Sequence, residues 1–289
     1  MAGEIWSVGR VLAWTQNYFS GKNISAPRLD AEVLLAHVLK KERIYLYVHF
    51  DEPLNRSELA AFRALVKERA ARKPVAYLIG HREFMGLDFA VNEHTLIPRP
   101  ETEILVSAIL DKLKERPDEE LLGADIGTGT GAIALSLLKY RENLRMKATD
   151  ISPTALEVAQ KNAENLGLAS KIEFLSGDLT APLKGEKFRF IVSNPPYIPR
   201  GDLATLAPEV LAEPRTALDG GIDGLAFYRR LAENAPLLLD EHGFLAVEIG
   251  INQVDRVVKM FREAGRFTKT QVIKDLAGID RVVLAWREK

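Results

Sequence analysis

Apolar residues in the first 75 positions recur at helical spacing. Leu29, Val33, Leu34, Ala36, Val38 and Leu39 lie about three and four apart, which predicts one amphipathic helix. A second is expected from Ser57 to Ala71, where Asn55 can cap the first turn and Glu58 can reach back to it. Ile5 to Phe19 makes a third candidate. Nothing here reads as a strand, so residues 1–75 are expected to form a small helical domain with no obvious chemistry. From Pro74 the pattern changes. Phe84-Met85-Gly86-Leu87-Asp88-Phe89-Ala90-Val91 alternates around a glycine, as a β-hairpin does. The prolines of Leu96-Ile97-Pro98-Arg99-Pro100 forbid regular structure, so residues 76–103 read as a connector.

Beyond residue 104 the period switches back and forth. Strands are expected at Leu121–Ile126, Leu144–Asp150, Lys171–Leu175, Phe188–Ser193, Gly243–Ile249, Thr268–Lys274 and Arg281–Trp286. Helices fit Ile104–Lys114, Gly131–Tyr140, Pro153–Asn165, Ala226–Leu239 and Gln253–Ala264, with Ser152 capping the third. Alternation of this kind, with apolar strands, predicts an α/β domain over 104–289: a seven-stranded, mostly parallel sheet covered on both faces. Only Asp275–Asp280 joins the last two strands, so they must form a terminal antiparallel hairpin.

Composition narrows the class. Of 289 residues, 47% are hydrophobic and 27% charged, as in a soluble enzyme, and net charge is −1. Residues 1–90 carry 13 Lys and Arg against 10 Asp and Glu, leaving 26 against 30 in the remainder. No basic stripe marks a long nucleic acid as partner, and no apolar run is long enough to span a membrane. Cysteine is absent, and Met1–Trp6 has no export character, so the expected address is the cytoplasm. His37, His49, His81, His94 and His242 are scattered without ligand spacing, and no metal is expected.

Two clusters carry candidate chemistry. Asp125-Ile126-Gly127-Thr128-Gly129-Thr130-Gly131 ends one strand and opens a helix; its glycines permit a sharp turn and close approach of a ligand to main-chain amides. Asp150, ending the next strand, can accept hydrogen bonds from both hydroxyls of a ribose. Gly127-x-Gly129-x-x-Ala132 also satisfies a loose dinucleotide fingerprint, so a nicotinamide cofactor competes. Asp125, placed to hold an amino-acid moiety, favours S-adenosylmethionine, and the terminal hairpin resembles the arrangement found in methyltransferases that use it. Asp178 and Leu179 end the third strand and suit an adenine ring, although a solvated Asp178 is the plainer account.

The second cluster is Asn194-Pro195-Pro196-Tyr197, directly after the apolar strand Phe188–Ser193. Proline cannot continue the ladder, so the chain turns beside the expected crevice and frees its carbonyls. The side-chain oxygen of Asn194 and the carbonyl of Pro195 can each accept one N–H of a planar NH2 group. Two such acceptors fix its rotation and favour the positive charge that develops on nitrogen as a methyl group is transferred. Tyr197 can stack on the target plane. A rigid turn without chemistry is the alternative.

Asn194–Tyr197 resembles the signature of amino methyltransferases acting on adenine, guanine or glutamine amide. Pro74–Gly80, Phe84–Phe89, Leu96–Glu103, Glu213–Leu225 and Pro27–Glu32 extend the likeness over essentially the whole chain, to the HemK/PrmC family of protein-(glutamine-N5) methyltransferases. The resemblance implies a Rossmann-like class I methyltransferase using S-adenosylmethionine and releasing S-adenosylhomocysteine. Its substrate would be the glutamine of the Gly-Gly-Gln loop in class 1 peptide chain release factors, bound by Asn194, Pro195, Pro196 and Tyr197. The helical domain would dock that partner or only stabilise the fold. A monomer is expected. An adenine-N6 nucleic-acid methyltransferase and a ribosomal-protein glutamine methyltransferase remain open. Arg99 and Glu101 are expected either at the cofactor cleft or in a structural salt bridge.

Overall fold

The computed structural model describes residues 6–115 and 119–287. Residues 1–5, including the expected helix start at Ile5, lie outside these, as do 116–118 and the last two.

The chain divides into two compact units. The first comprises residues 1–80 and a short excursion, 207–212; the second holds the rest. In the first unit, helices α1 (Val8–Gly21), α2 (Pro27–Leu39), α3 (Arg43–Val48), α4 (Arg56–Ala70) and α5 (Val75–Ile79) pack around Leu12, Phe19, Leu34, Leu35 and Phe62. The capping box expected for α4 is present: Asn55 Oδ1 accepts from Glu58 N at 2.9 Å, and Glu58 Oε2 from Asn55 N at 2.8 Å. Helices α3 and α5 have no counterpart in the sequence reading. Both are under two turns long and carry too few positions to display a period. Residues 76–80, read as the start of the connector, group with the helical unit.

The second unit opens with the expected hairpin, β1 (His81–Phe84) and β2 (Leu87–Ala90), and α6 (Thr102–Leu113). Then come β3 (Leu121–Ile126), α7 (Ala132–Tyr140), β4 (Leu144–Asp150), α8 (Pro153–Asn165), β5 (Ile172–Ser176) and β6 (Phe188–Ser193). Past the short α9 (Pro208–Leu211) of the first unit run α10 (Ala226–Leu238), β7 (Leu239–Glu248), α11 (Val254–Glu263), β8 (Phe267–Lys274) and β9 (Asp280–Arg287). The seven-stranded sheet has the order β5-β4-β3-β6-β7-β9-β8. Only the pairs involving β9 are antiparallel. The last strand thus inserts between β7 and β8. β7 starts four residues before its expected Gly243. Leu239 already pairs with Phe188, while a polar kink with His242 at φ +64 interrupts the apolar run and hides that start in the sequence.

Cores on both faces explain the nearly continuous apolar strands. Phe190 and Phe244 stack at 5.8 Å on one face; Tyr228, Leu231 and Phe261 fill the other. Strand order reverses between β4-β3 and β6-β7, which opens a crevice at their carboxyl ends. Buried Asn162 of α8 ties the hairpin to that edge: it pairs with both backbone groups of Ala90 and donates to Thr130 O at 2.9 Å.

Candidate active site

A cleft of about 470 Å³ lies at the strand ends of the second unit. Gly127, Gly129, Asp150, Asp178, Leu179, Asn194, Pro195 and Pro196 line it, so both sequence clusters meet in one cavity. Gly127 (φ +73) and Gly129 (φ +55) need the left-handed region, and a Cβ on either would point into open space. That leaves bare backbone facing the cleft at the start of α7, a fit for the polar end of a nucleoside-type cofactor. Asp150 is held at both oxygens: Gly129 N donates to Oδ2 and Ser152 N to Oδ1, each at 2.9 Å. Each oxygen keeps a further lone pair for a ribose hydroxyl. Leu179, in the cleft wall at φ +50, is strained for a residue with a side chain, and Thr149 Oγ1 holds its carbonyl at 2.9 Å. Asp178 is half-exposed and pairs with Arg230 at 2.6 Å, so it is a partnered carboxylate rather than a free one.

Asp125, Thr128, Thr130, Gly131 and Tyr197 are not on the cleft wall. Asp125 is 0% exposed and sits under the glycine loop. There Thr128 Oγ1 donates to Oδ2 at 2.7 Å, while Oδ1 lacks a close partner. Burial pushes its carboxyl up to about 7, against the opposing pull of Thr128 and the Ala134 amide. Gly131 (φ +79) is the N-cap of α7. The hydroxyl of Tyr197 is directed inward, 3.4 Å from Glu248 Oε1, and burial raises its pKa further from the usual phenol range.

Arg99 does not line the cleft but pairs with buried Glu213, which also accepts from Ile97 N at 3.0 Å. Glu101 lies near Arg281 and Glu248 without lining the cleft. Glu213 opens the loop 213–225, which is stitched to the chain after Tyr197 by Ile198 N to Leu218 O (3.1 Å) and Gly220 N to Ile198 O (2.8 Å). A Cβ on Gly224 (φ +76) would come within 2.4 Å of the Tyr197 carbonyl oxygen. That carbonyl accepts from Gln253 Nε2 at 2.8 Å.

Four of the contributors that escaped the sequence reading bear on the chemistry. His94, taken as ordinary, is on the cleft wall, as is Ile151, 63% exposed beside Asp150. Thr102 and Glu248 are buried behind Asn194. Glu248 had a legible signal: an acid ending the all-apolar run Phe244–Val247. Among the described residues no cluster of His, Asp or Glu has metal-holding geometry, and no helix is long and apolar enough to cross a membrane.

Residues 101–246 match the family described as methyltransferase small domain, so the second unit is a methyltransferase of Rossmann-like architecture. A methyltransferase of solved structure from Pyrococcus furiosus shares that fold, at 19% identity and a TM-score of 0.51 over 78% of this chain and 96% of its own. Residues 10–80 match the PrmC N-terminal domain. The release factor glutamine methyltransferase of Geobacter sulfurreducens is 45% identical over 97% of this chain and 96% of its own length. That of Moorella thermoacetica is 47% identical over 92% and 93%. The chain belongs to the release factor glutamine methyltransferase family.

Proposed function

We propose that this enzyme transfers the methyl group of S-adenosylmethionine to the side-chain amide nitrogen of the glutamine in the Gly-Gly-Gln motif of class 1 peptide chain release factors. The observation that carries the reading is the convergence of Asn194-Pro195-Pro196 with Gly127, Gly129 and Asp150 in one cleft, in a chain of this family. Asp150 would hold the ribose, Gly127 to Gly131 the polar end, and Ile151 with Leu179 would cover the adenine. Asp178 would meet the exocyclic amine only by sharing its carboxylate with Arg230. Asp125 and Thr128 would act from beneath, by shaping the loop.

When bound, the cofactor supplies an activated methyl on a sulfonium with a good leaving group, so no strong base is required. A carboxamide nitrogen is a poor nucleophile because its lone pair is delocalised, and positioning is the larger part of the catalysis. Asn194 Oδ1 and the Pro195 carbonyl would accept the two N–H bonds of the target. The proton leaves after transfer. Tyr197, with its hydroxyl turned toward Glu248, would support the pocket from behind or offer its ring edge, rather than present a freely swinging stack. In this reading the enzyme works in the cytoplasm, as a monomer, without direct nucleic-acid contact, and the first unit docks the protein substrate.

The test is methyl transfer from labelled S-adenosylmethionine to purified release factor, beside the same factor with its Gly-Gly-Gln glutamine changed to alanine. Label in the unaltered factor alone is the expected result. Label only in a nucleic acid or a ribosomal protein would keep the amide or amine chemistry and overturn the substrate.

A further inference from the structure

Glu248 ends β7 and is 3% exposed, yet the transfer reaction as described makes no use of it. Tyr197 donates to its Oε1 at 3.4 Å, and the Thr102 hydroxyl and, less strongly, the Asn194 amide face the same carboxyl and favour its ionised form; Oε2 has no close partner. Asn194 Nδ2 in turn donates to Thr102 Oγ1 at 3.1 Å. These contacts have a direction. An ionised carboxyl only accepts, so the single proton of Thr102 points to Glu248 and its lone pairs remain for Asn194. Asn194 must then turn its NH2 toward Thr102, and its Oδ1 faces the cleft that it lines. Shape alone would not choose this orientation, because the two ends of a carboxamide are nearly isosteric.

We propose that Glu248, acting through the Thr102 hydroxyl, is the positioning residue that keeps the Asn194 oxygen aimed into the cleft and so decides which end of the target amide is held against the methyl donor. The inference rests on the glutamine-amide reading above. An Asn194 turned the other way would offer N–H groups to the target and select its carbonyl oxygen, placing the wrong atom for transfer. Binding would survive and turnover would not, so the loss falls on kcat.

The groups facing Glu248 make the relay sensitive to protonation. Burial pushes its carboxyl up to about 7; Thr102, Arg281 and Asn194 favour the ionised form and Glu101 opposes it. Tyr197 and Tyr228 flank it, the latter donating to the Glu248 main-chain oxygen at 2.9 Å. Once protonated, Glu248 can donate, and the Thr102 proton is released to point at Asn194.

The experiment measures kcat and KM on release factor from pH 5.5 to 8.5 for the full-length enzyme, Glu248→Gln, Thr102→Val and the double variant. The wild type should gain turnover as pH rises through about 7. Glu248→Gln should lower kcat at pH 8 about 10- to 100-fold, leave KM within about twofold, and abolish the rising limb. Thr102→Val should do the same. The double variant should cost no more than the worse single one, because both act through one chain of hydrogen bonds. Retention of the limb in Glu248→Gln, or multiplicative losses in the double variant, overturns the relay. If Glu248→Gln does not fold, the limb in Thr102→Val decides alone. An inactive wild type would instead sink the substrate reading, so the two failures are distinct.

Discussion

Asn194 lies on the cleft wall with its amide nitrogen committed to Thr102, which leaves one acceptor for the substrate. Asn194→Ala removes an oriented acceptor from the site of developing charge, and such groups contribute about 100- to 1,000-fold to turnover. Single-turnover methyl transfer should fall by that order, with S-adenosylhomocysteine affinity by calorimetry within about threefold. An unchanged rate would remove Asn194 from the reaction. Two other side chains, both buried, bear on the pH dependence of stability. Asp125 and Glu248 both have carboxyls raised to about 7 by burial. A raised acid binds its proton more tightly in the folded state, so its contribution is complete below the unfolded value near 4 and is lost as pH climbs through 7. Asp219, Asp223 and Asp275 are lowered, and their effect is already complete by pH 5. Melting temperature should therefore drop from pH 5.5 to 8, and Asp125→Asn should flatten that slope; an unaltered slope would mean that Asp125 is not the group responsible.

Strands and loops bring these side chains together. β3, β4, β6 and β7 end at Ile126, Asp150, Ser193 and Glu248, so one parallel register delivers Asp125, Asp150, Asn194 and Glu248 to the same edge of the sheet. Loop 213–225 presses on the chain from Tyr197 to Arg200, and its glycines are needed for contact as much as for conformation. Gly224→Ala adds a Cβ 2.4 Å from the Tyr197 carbonyl at a left-handed position. It should cost about 1–3 kcal/mol in urea unfolding and lower turnover together with stability. Stability within about 0.5 kcal/mol of wild type would mean the loop yields. In the first unit, Asn55→Ala removes a complete capping box and should cost about 1 kcal/mol, read by the same unfolding, without altering cofactor affinity.

At the scale of the whole molecule the cleft-lining residues all belong to the second unit, and the described residues of the first contribute none. That separation permits a direct test of whether the helical unit docks the substrate or only supports the fold. A chain of residues 81–289 should bind S-adenosylhomocysteine within about threefold of the full protein and methylate a short Gly-Gly-Gln peptide at a similar rate. On intact release factor its kcat/KM should fall by about 100-fold, the loss expected when a docking surface contributes some 3 kcal/mol. Equal losses on peptide and factor would assign the helices to stability instead.

The hydrophobic periods along the chain determined the seven strands, the long helices and the two clusters at strand ends, because period and burial are local consequences of residue order. Asn55 and Ser152 announced their helices for the same reason: a cap is satisfied within four residues of itself. The insertion of β9 between β7 and β8, the early start of β7 and the short helices α3 and α5 were decided by pairing and packing partners far away in sequence. So were the salt bridge of Arg99 to Glu213, 114 positions on, and the inward turn of Tyr197. Thr102 became a partner of Asn194, 92 residues away, only when α6 packed beside the end of β6. A motif states which acceptors are present. Which way they face is set by neighbours that the chain brings together only on folding.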